Sequence, residues 1–137
     1  MASGDLAVKT DNDPHYPEVL NGPFTTRQLI RIDEALRAAE QEGGLTFSVY
    51  VGDLHVPVRG AAERLHGQLA EPDDSVLIAM SPNQRMLEIV TGENARKRLA
   101  DRDCALAAFS MTAAFTGGDL TAGIVTGLTQ LGTHARR

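Results

Sequence analysis

A layered α/β domain is what this sequence predicts: a small mixed β-sheet covered by helices, in the order α-β-α-β-β-α-α. Three observations carry that expectation. Val76 to Met80 is a short unbroken apolar run, as expected of a central strand covered on both faces. The connection that follows, Ser81-Pro82-Asn83-Gln84, suits a tight turn, so a strand from Arg85 to Thr91 must return antiparallel. Helical periodicity brackets these strands on both sides, and helices must bury their apolar stripes against the sheet.

Taken in order, residues 1–22 are polar and broken by Pro14, Pro17 and Asn21-Gly22-Pro23. They are expected to form a flexible leader, with Tyr16 to Leu20 able to dock on the body. The single domain is expected over 23–133, with a flexible tail at 134–137. Thr25-Thr26-Arg27-Gln28 has capping-box spacing, and Leu29, Ile32, Leu36 and Ala39 follow at helical intervals up to a Gly43-Gly44 stop. Leu45 to Val51 alternates apolar and polar residues, which predicts a strand with one drier face. A helix from about Pro57 to Leu69 would turn Val58, Ala61, Ala62, Leu65 and Leu69 inward and make a right-handed parallel crossover to Val76. In the last third, Asp101 is placed to cap a helix carrying Cys104, Ala105, Ala108, Met111, Thr112 and Phe115. Gly117-Gly118 ends it. Asp119 is placed to cap a final helix with Leu120, Ile124, Leu128 and Leu131 inward, in which Gly123 and Gly127 share a face that a neighbour can approach closely.

Composition narrows the function classes. The chain is 137 residues, 42% hydrophobic and 23% charged, with a formal charge of −5. It has no Trp and few other aromatics, so base-stacking platforms are disfavoured. Arg96-Lys97-Arg98 is too short to make a basic stripe, and nucleic acid is not an expected partner. The single cysteine, Cys104, rules out an intramolecular disulfide and fits a reducing compartment. No export signal is seen, and Cys104 to Phe115 is too short to span a bilayer, so a cytoplasmic location is expected.

The run Asp73 to Met80, the Gly92 strand exit, Leu99-Ala100-Asp101 and Gly118-Asp119-Leu120 together resemble the TPM domain. The likeness covers about residues 24–132. Val49-Tyr50-Val51-Gly52-Asp53-Leu54, Ser81-Pro82-Asn83-Gln84-Arg85 and Cys104-Ala105-Leu106-Ala107 are similar to an actinobacterial branch of unknown function. The chain departs from the family pattern at Asp74-Ser75, at Asn94 and at Leu120. The resemblance implies the layered fold; for activity it implies the acid-phosphatase and calcium-binding chemistry described for some plant members.

Under that layout Asp73, Asp101 and Asp119 would converge on one rim and ligate Ca²⁺ or Mg²⁺, with Glu93 or Asp53 as supplements. The Asp-rich start and glycine exit would leave room there for a cation or a phosphate. The alternative reading is that Asp101 and Asp119 are simple helix caps and Asp73 a turn residue. Asp101-Arg102-Asp103 has the spacing of a phosphotransfer nucleophile pair but opens a helix. Cys104 lacks a Cys-x5-Arg loop, since Ser110 stands six places on. His55 and His66 are not spaced as ligands on one face and are expected at the surface, with His15 and His134 in frayed ends. No nucleotide-cradling motif occurs. The leading expectation is a non-enzymatic binding or assembly module for a protein partner. A divalent-cation-dependent phosphatase using the three aspartates comes second, and a thiol sensor at Cys104 third.

Overall fold

The computed structural model describes residues 24–136, so the leader at 1–22 lies outside the described residues. Helix α1 (Thr26–Gly43) leads to strand β1 (Thr46–Val51), helix α2 (Val58–Gly67), strands β2 (Ser75–Ser81) and β3 (Met86–Thr91), and helices α3 (Asp101–Gly117) and α4 (Leu120–Ala135). This is the expected order. The sheet runs β1-β2-β3, with β1 parallel to β2 and β3 antiparallel to it, in a register pairing Phe47 with Val76 and Val76 with Thr91.

Local chemistry explains most boundaries. Thr25 accepts from the Gln28 amide at 3.2 Å while Gln28 Oε1 accepts from the Thr25 amide at 2.8 Å, a complete capping box. Gly44 closes α1 at φ 74°, where a side chain would be strained. The β2–β3 turn has the expected four residues but lies one position later, at 82–85. Arg85 takes its left-handed position at φ 55°, and β3 begins at Met86.

Helices α1, α3 and α4 cover one sheet face and α2 the other, which produces two cores. Ile32, Leu36, Phe47, Ile78, Met111 and Leu128 belong to the larger; Tyr50, Val58, Ala62, Leu77 and Val90 belong to the smaller. Strand β1 is therefore buried on both faces, which corrects the expectation of one wet side. Ser48 and Tyr50 are both only 3% exposed, and Tyr50 keeps its hydroxyl satisfied by donating to the Asp53 carbonyl at 2.8 Å. Helix α4 packs between α1 and α3 and runs to Ala135, past the expected domain end at 133. Ala135 is buried, and Arg98 Nε donates to its carbonyl at 2.8 Å, which satisfies an orphan group of the last turn.

Candidate functional site

Structure separates the carboxylates that were expected to converge. Asp73 lies in a 3₁₀ turn (Pro72–Asp74) that feeds β2, and Asp101 stands at the first position of α3. Asp119 caps α4, accepting from the Ala122 amide at 3.0 Å, and so sits at the far end of α3. Seventeen residues of helix put about 25 Å between Asp101 and Asp119. Asp53 follows β1 and receives a bond from Asn83 at 3.3 Å, so it lies at the opposite end of the sheet from Asp73, about 20 Å away. Glu93 is exposed beside Gly92. Among the described residues no three His, Cys, Asp or Glu side chains are grouped to hold a metal ion. A single ion shared by Asp73, Asp101 and Asp119 is not a geometry that this fold offers.

Nor is there room at the Gly92 exit. A Cβ on Gly92 would overlap the Pro72 carbonyl oxygen and lie 2.6 Å from the Asp73 carbonyl carbon and oxygen. The chain's own backbone fills the space expected for a cation or phosphate. The Gly92 amide donates to Ser75 O and the Asn94 amide to Asp73 O, both at 2.9 Å, and Asn94 Nδ2 donates to Asp74 at 2.9 Å. The acidic turn is thus spent on holding two strand ends together.

Two further expectations are corrected. Asp101 is not the cap of α3: its N-cap is Ala100, whose amide donates to Asp103 Oδ2 at 3.1 Å. Asp103 also faces His134 Nδ1 at 3.4 Å, so His134 is tied to α3 rather than frayed. His66 is buried, with Nε2 3.0 Å from the Ser75 carbonyl oxygen, whereas His55 is exposed as expected. The α2 stripe continues through His66 because its ring nitrogen finds a polar partner inside the core, the Ser75 carbonyl.

A cleft of about 310 Å³ opens between β3 and the first half of α3, and Asp101 and Cys104 meet there with Arg59, Glu88 and Thr91. Arg59 dominates it. Its guanidinium binds Glu63 at 3.1 Å, Glu88 at 3.0 Å and the Ile89 carbonyl at 3.0 Å. Burial alone would lower its basicity, but the hydrogen bonds and charges of Glu88 and Glu63 outweigh burial and raise it, so the cation is permanent. Its Nε and Nη1 donors are engaged, and two carboxylates offset its charge. With Arg96 bonded to Thr91 O at 2.7 Å, the two arginines cap outward carbonyls of edge strand β3 and blunt its pairing with another chain.

Cys104 is half-buried at the cleft wall. Burial, reinforced by the negative charges of Asp103 and Asp101 and only partly offset by Arg59, pushes its thiol up to about 11. A neutral thiol is a poor nucleophile. Alkylation of the native chain by iodoacetamide is therefore expected to be slow at neutral pH and to keep accelerating towards pH 11. Ionisation of an unfolded thiol near 9.0 comes first, so this group lowers folded stability as pH rises through that window. An alkylation rate that levels off below pH 9 would contradict this.

The surface of α3 holds what the periodicity of the sequence did not separate. Its deepest residues are Ala107 and Met111, while Ala105 is exposed. On the solvent side, Arg102, Leu106, Phe109, Ala113 and Thr116 are all exposed, and they follow one another at 4-3-4-3 spacing. Phe109 is 79% exposed and Leu106 52%. An α-helix apolar on both faces ordinarily has both covered.

Known proteins share this architecture. The BA42 protein of Bizionia argentinensis superposes with TM-score 0.72 at 18% identity, covering 84% of this chain and 83% of that one. The N-terminal domain of cg2496 from Corynebacterium glutamicum gives 0.62 at 14% identity over 82% and 74% of the two chains. A third solved domain, from P. gingivalis, gives 0.65 at 18% identity over 82% and 76%. At these identities the likeness is one of fold. In sequence, the uncharacterized proteins Rv2468c and MT2543, from two strains of Mycobacterium tuberculosis, are 32% identical over 125 residues, 91% of this chain and 68% of theirs. Residues 3–132 match the family described as a domain of unknown function, DUF5130. This chain belongs to the DUF5130 family.

Proposed function

We propose that this TPM-like domain is a non-catalytic binding or assembly module of the cytoplasm, and that it docks through the outer face of α3. The observation that carries the reading is the exposed stripe Leu106-Phe109-Ala113 on a helix whose other face is already used by the core. An aromatic ring held in water on a rigid element is the kind of anchor that interfaces use. Hydrolytic chemistry finds no comparable support. The cleft's one arginine has its charge offset by two glutamates, so it is poorly suited to clamp a transferring phosphoryl group.

Phe109 exchanged for a photoreactive phenylalanine analogue is expected to give covalent protein adducts on illumination in the source cells. The same analogue placed at Arg64 on α2 is expected to give none. Equal labelling at both positions, or none at Phe109, would remove the docking surface. Phosphomonoester turnover by the purified chain that Asp73→Ala abolished would remove the non-catalytic reading itself.

A further inference from the structure

We infer that the occupant of this face is a second copy of the same chain, with α3 packed antiparallel on α3 across a two-fold axis near Phe109. The inference rests on the docking surface proposed above and names its partner. Spacing comes first. Arg102, Leu106, Phe109, Ala113 and Thr116 form a seam of the kind that packs helix on helix, and Phe109 is the midpoint of α3. An isologous antiparallel contact therefore sets Phe109 on its own symmetry mate. Leu106 falls opposite Ala113 of the second copy, large against small, on both sides of the axis.

Charge argues for a like partner. The chain carries −5 overall, so two copies repel at most orientations. Between Cys104 and Thr133, however, the only charged residue is Asp119. This helical hairpin is where two copies can meet without burying or opposing like charges. Antiparallel pairing also brings Arg102, at one end of the seam, towards Thr116 and Asp119 of the second copy, while Asp101 faces the cleft and Asp103 faces His134. A membrane surface fits less well, because the hairpin presents no Lys or Arg between Cys104 and Thr133 to meet anionic headgroups.

Size sets the strength. Two helices about 25 Å long and about 10 Å apart offer a footprint on the order of 400–500 Å² per copy. That places the pair in the weak, reversible class, with dissociation in the micromolar range.

Sedimentation velocity of the full chain from about 1 μM to about 1 mM tests this. The expected result is a reversible rise from the 14.7 kDa monomer towards twice that mass. Phe109→Asp is expected to raise the dissociation constant by about 30-fold or more, with an unchanged thermal melt of the monomer. In a Cys104→Ser background, Phe109→Cys is expected to oxidise to a disulfide-linked dimer, whereas Arg64→Cys stays monomeric. A chain that remains monomeric at about 1 mM and forms no Phe109→Cys dimer overturns the self-pairing. Phe109 photoadducts of a mass other than twice the chain would then leave the docking surface standing with a different partner. Dimers that persist with Phe109→Asp overturn the assignment of the seam.

Discussion

Gly92→Ala is expected to lower the stability of the folded chain by about 3 kcal/mol or more, one of the two largest losses expected from a single methyl group in this molecule. The reason is space and not backbone freedom, since Gly92 is not among the residues with positive φ. Its missing Cβ is occupied by the backbone of Pro72 and Asp73. Those atoms cannot swing aside as a side-chain tip can. They are fixed by the hydrogen bonds that the Gly92 amide donates to the Ser75 carbonyl and the Asn94 amide to the Asp73 carbonyl, and behind them stands fully buried β2. Alanine must either push the acidic turn off the sheet and break those bonds, or pry β3 from β2 at its last pair.

Urea unfolding followed by far-ultraviolet circular dichroism measures the loss. Gly67→Ala is the control, because nothing lies within 4 Å of its Cβ position and it sits at the end of a helix. That change is expected to be neutral or stabilising by up to about 1 kcal/mol. Equal effects at the two glycines would mean that the Pro72–Asp73 contact is not what Gly92 serves. The same experiment bears on the cation site expected from Asp73. A rim that binds an ion should lose affinity with Gly92→Ala, whereas a rim that joins strand ends should lose stability.

The fold was legible in the sequence because its signals are local and strong. A buried run at Val76–Met80, a four-residue connection and well-marked helix ends leave little choice of topology, and the structure has that topology. What the sequence could not show was which carboxylates share a place. Asp101 and Asp119 are the exception: the helix expected between them already implied separation, and only the family layout set them on one rim. Arg59 and Glu88 stand 29 positions apart and meet only through the crossover. The seam on α3 was hidden for another reason. With apolar residues on both faces, Ala107 and Met111 inside and Leu106 and Phe109 outside, periodicity loses its contrast, and a stripe that pairs with the core cannot be told from one that waits for a partner.

Gly123→Ala is the second large loss, and it tests the joint on which the seam depends. A Cβ at Gly123 would stand 2.6 Å from the Cβ of Ala114 and 3.4 Å from the Met111 carbonyl oxygen. Two methyl-sized groups need about 1 Å more than that, so α3 and α4 must separate locally. Overpacking of this kind costs about 1–3 kcal/mol, while exchanging glycine for alanine inside a helix returns up to about 1 kcal/mol. The clash is expected to win, because Ala107, Met111 and Leu128 around it are fully buried and cannot shift without opening the core. The swap Gly123→Ala with Ala114→Gly settles the cause. It puts the methyl group on the other helix and removes its opponent, so the double variant is expected to recover most of the lost stability, and the coupling read from the four-membered cycle should exceed 1 kcal/mol. Simple additivity would show that Gly123 serves something other than close approach to Ala114. Moving α3 outward also displaces Leu106 and Phe109 together. The single Gly123→Ala variant should therefore weaken self-association along with stability, and the swap should restore both.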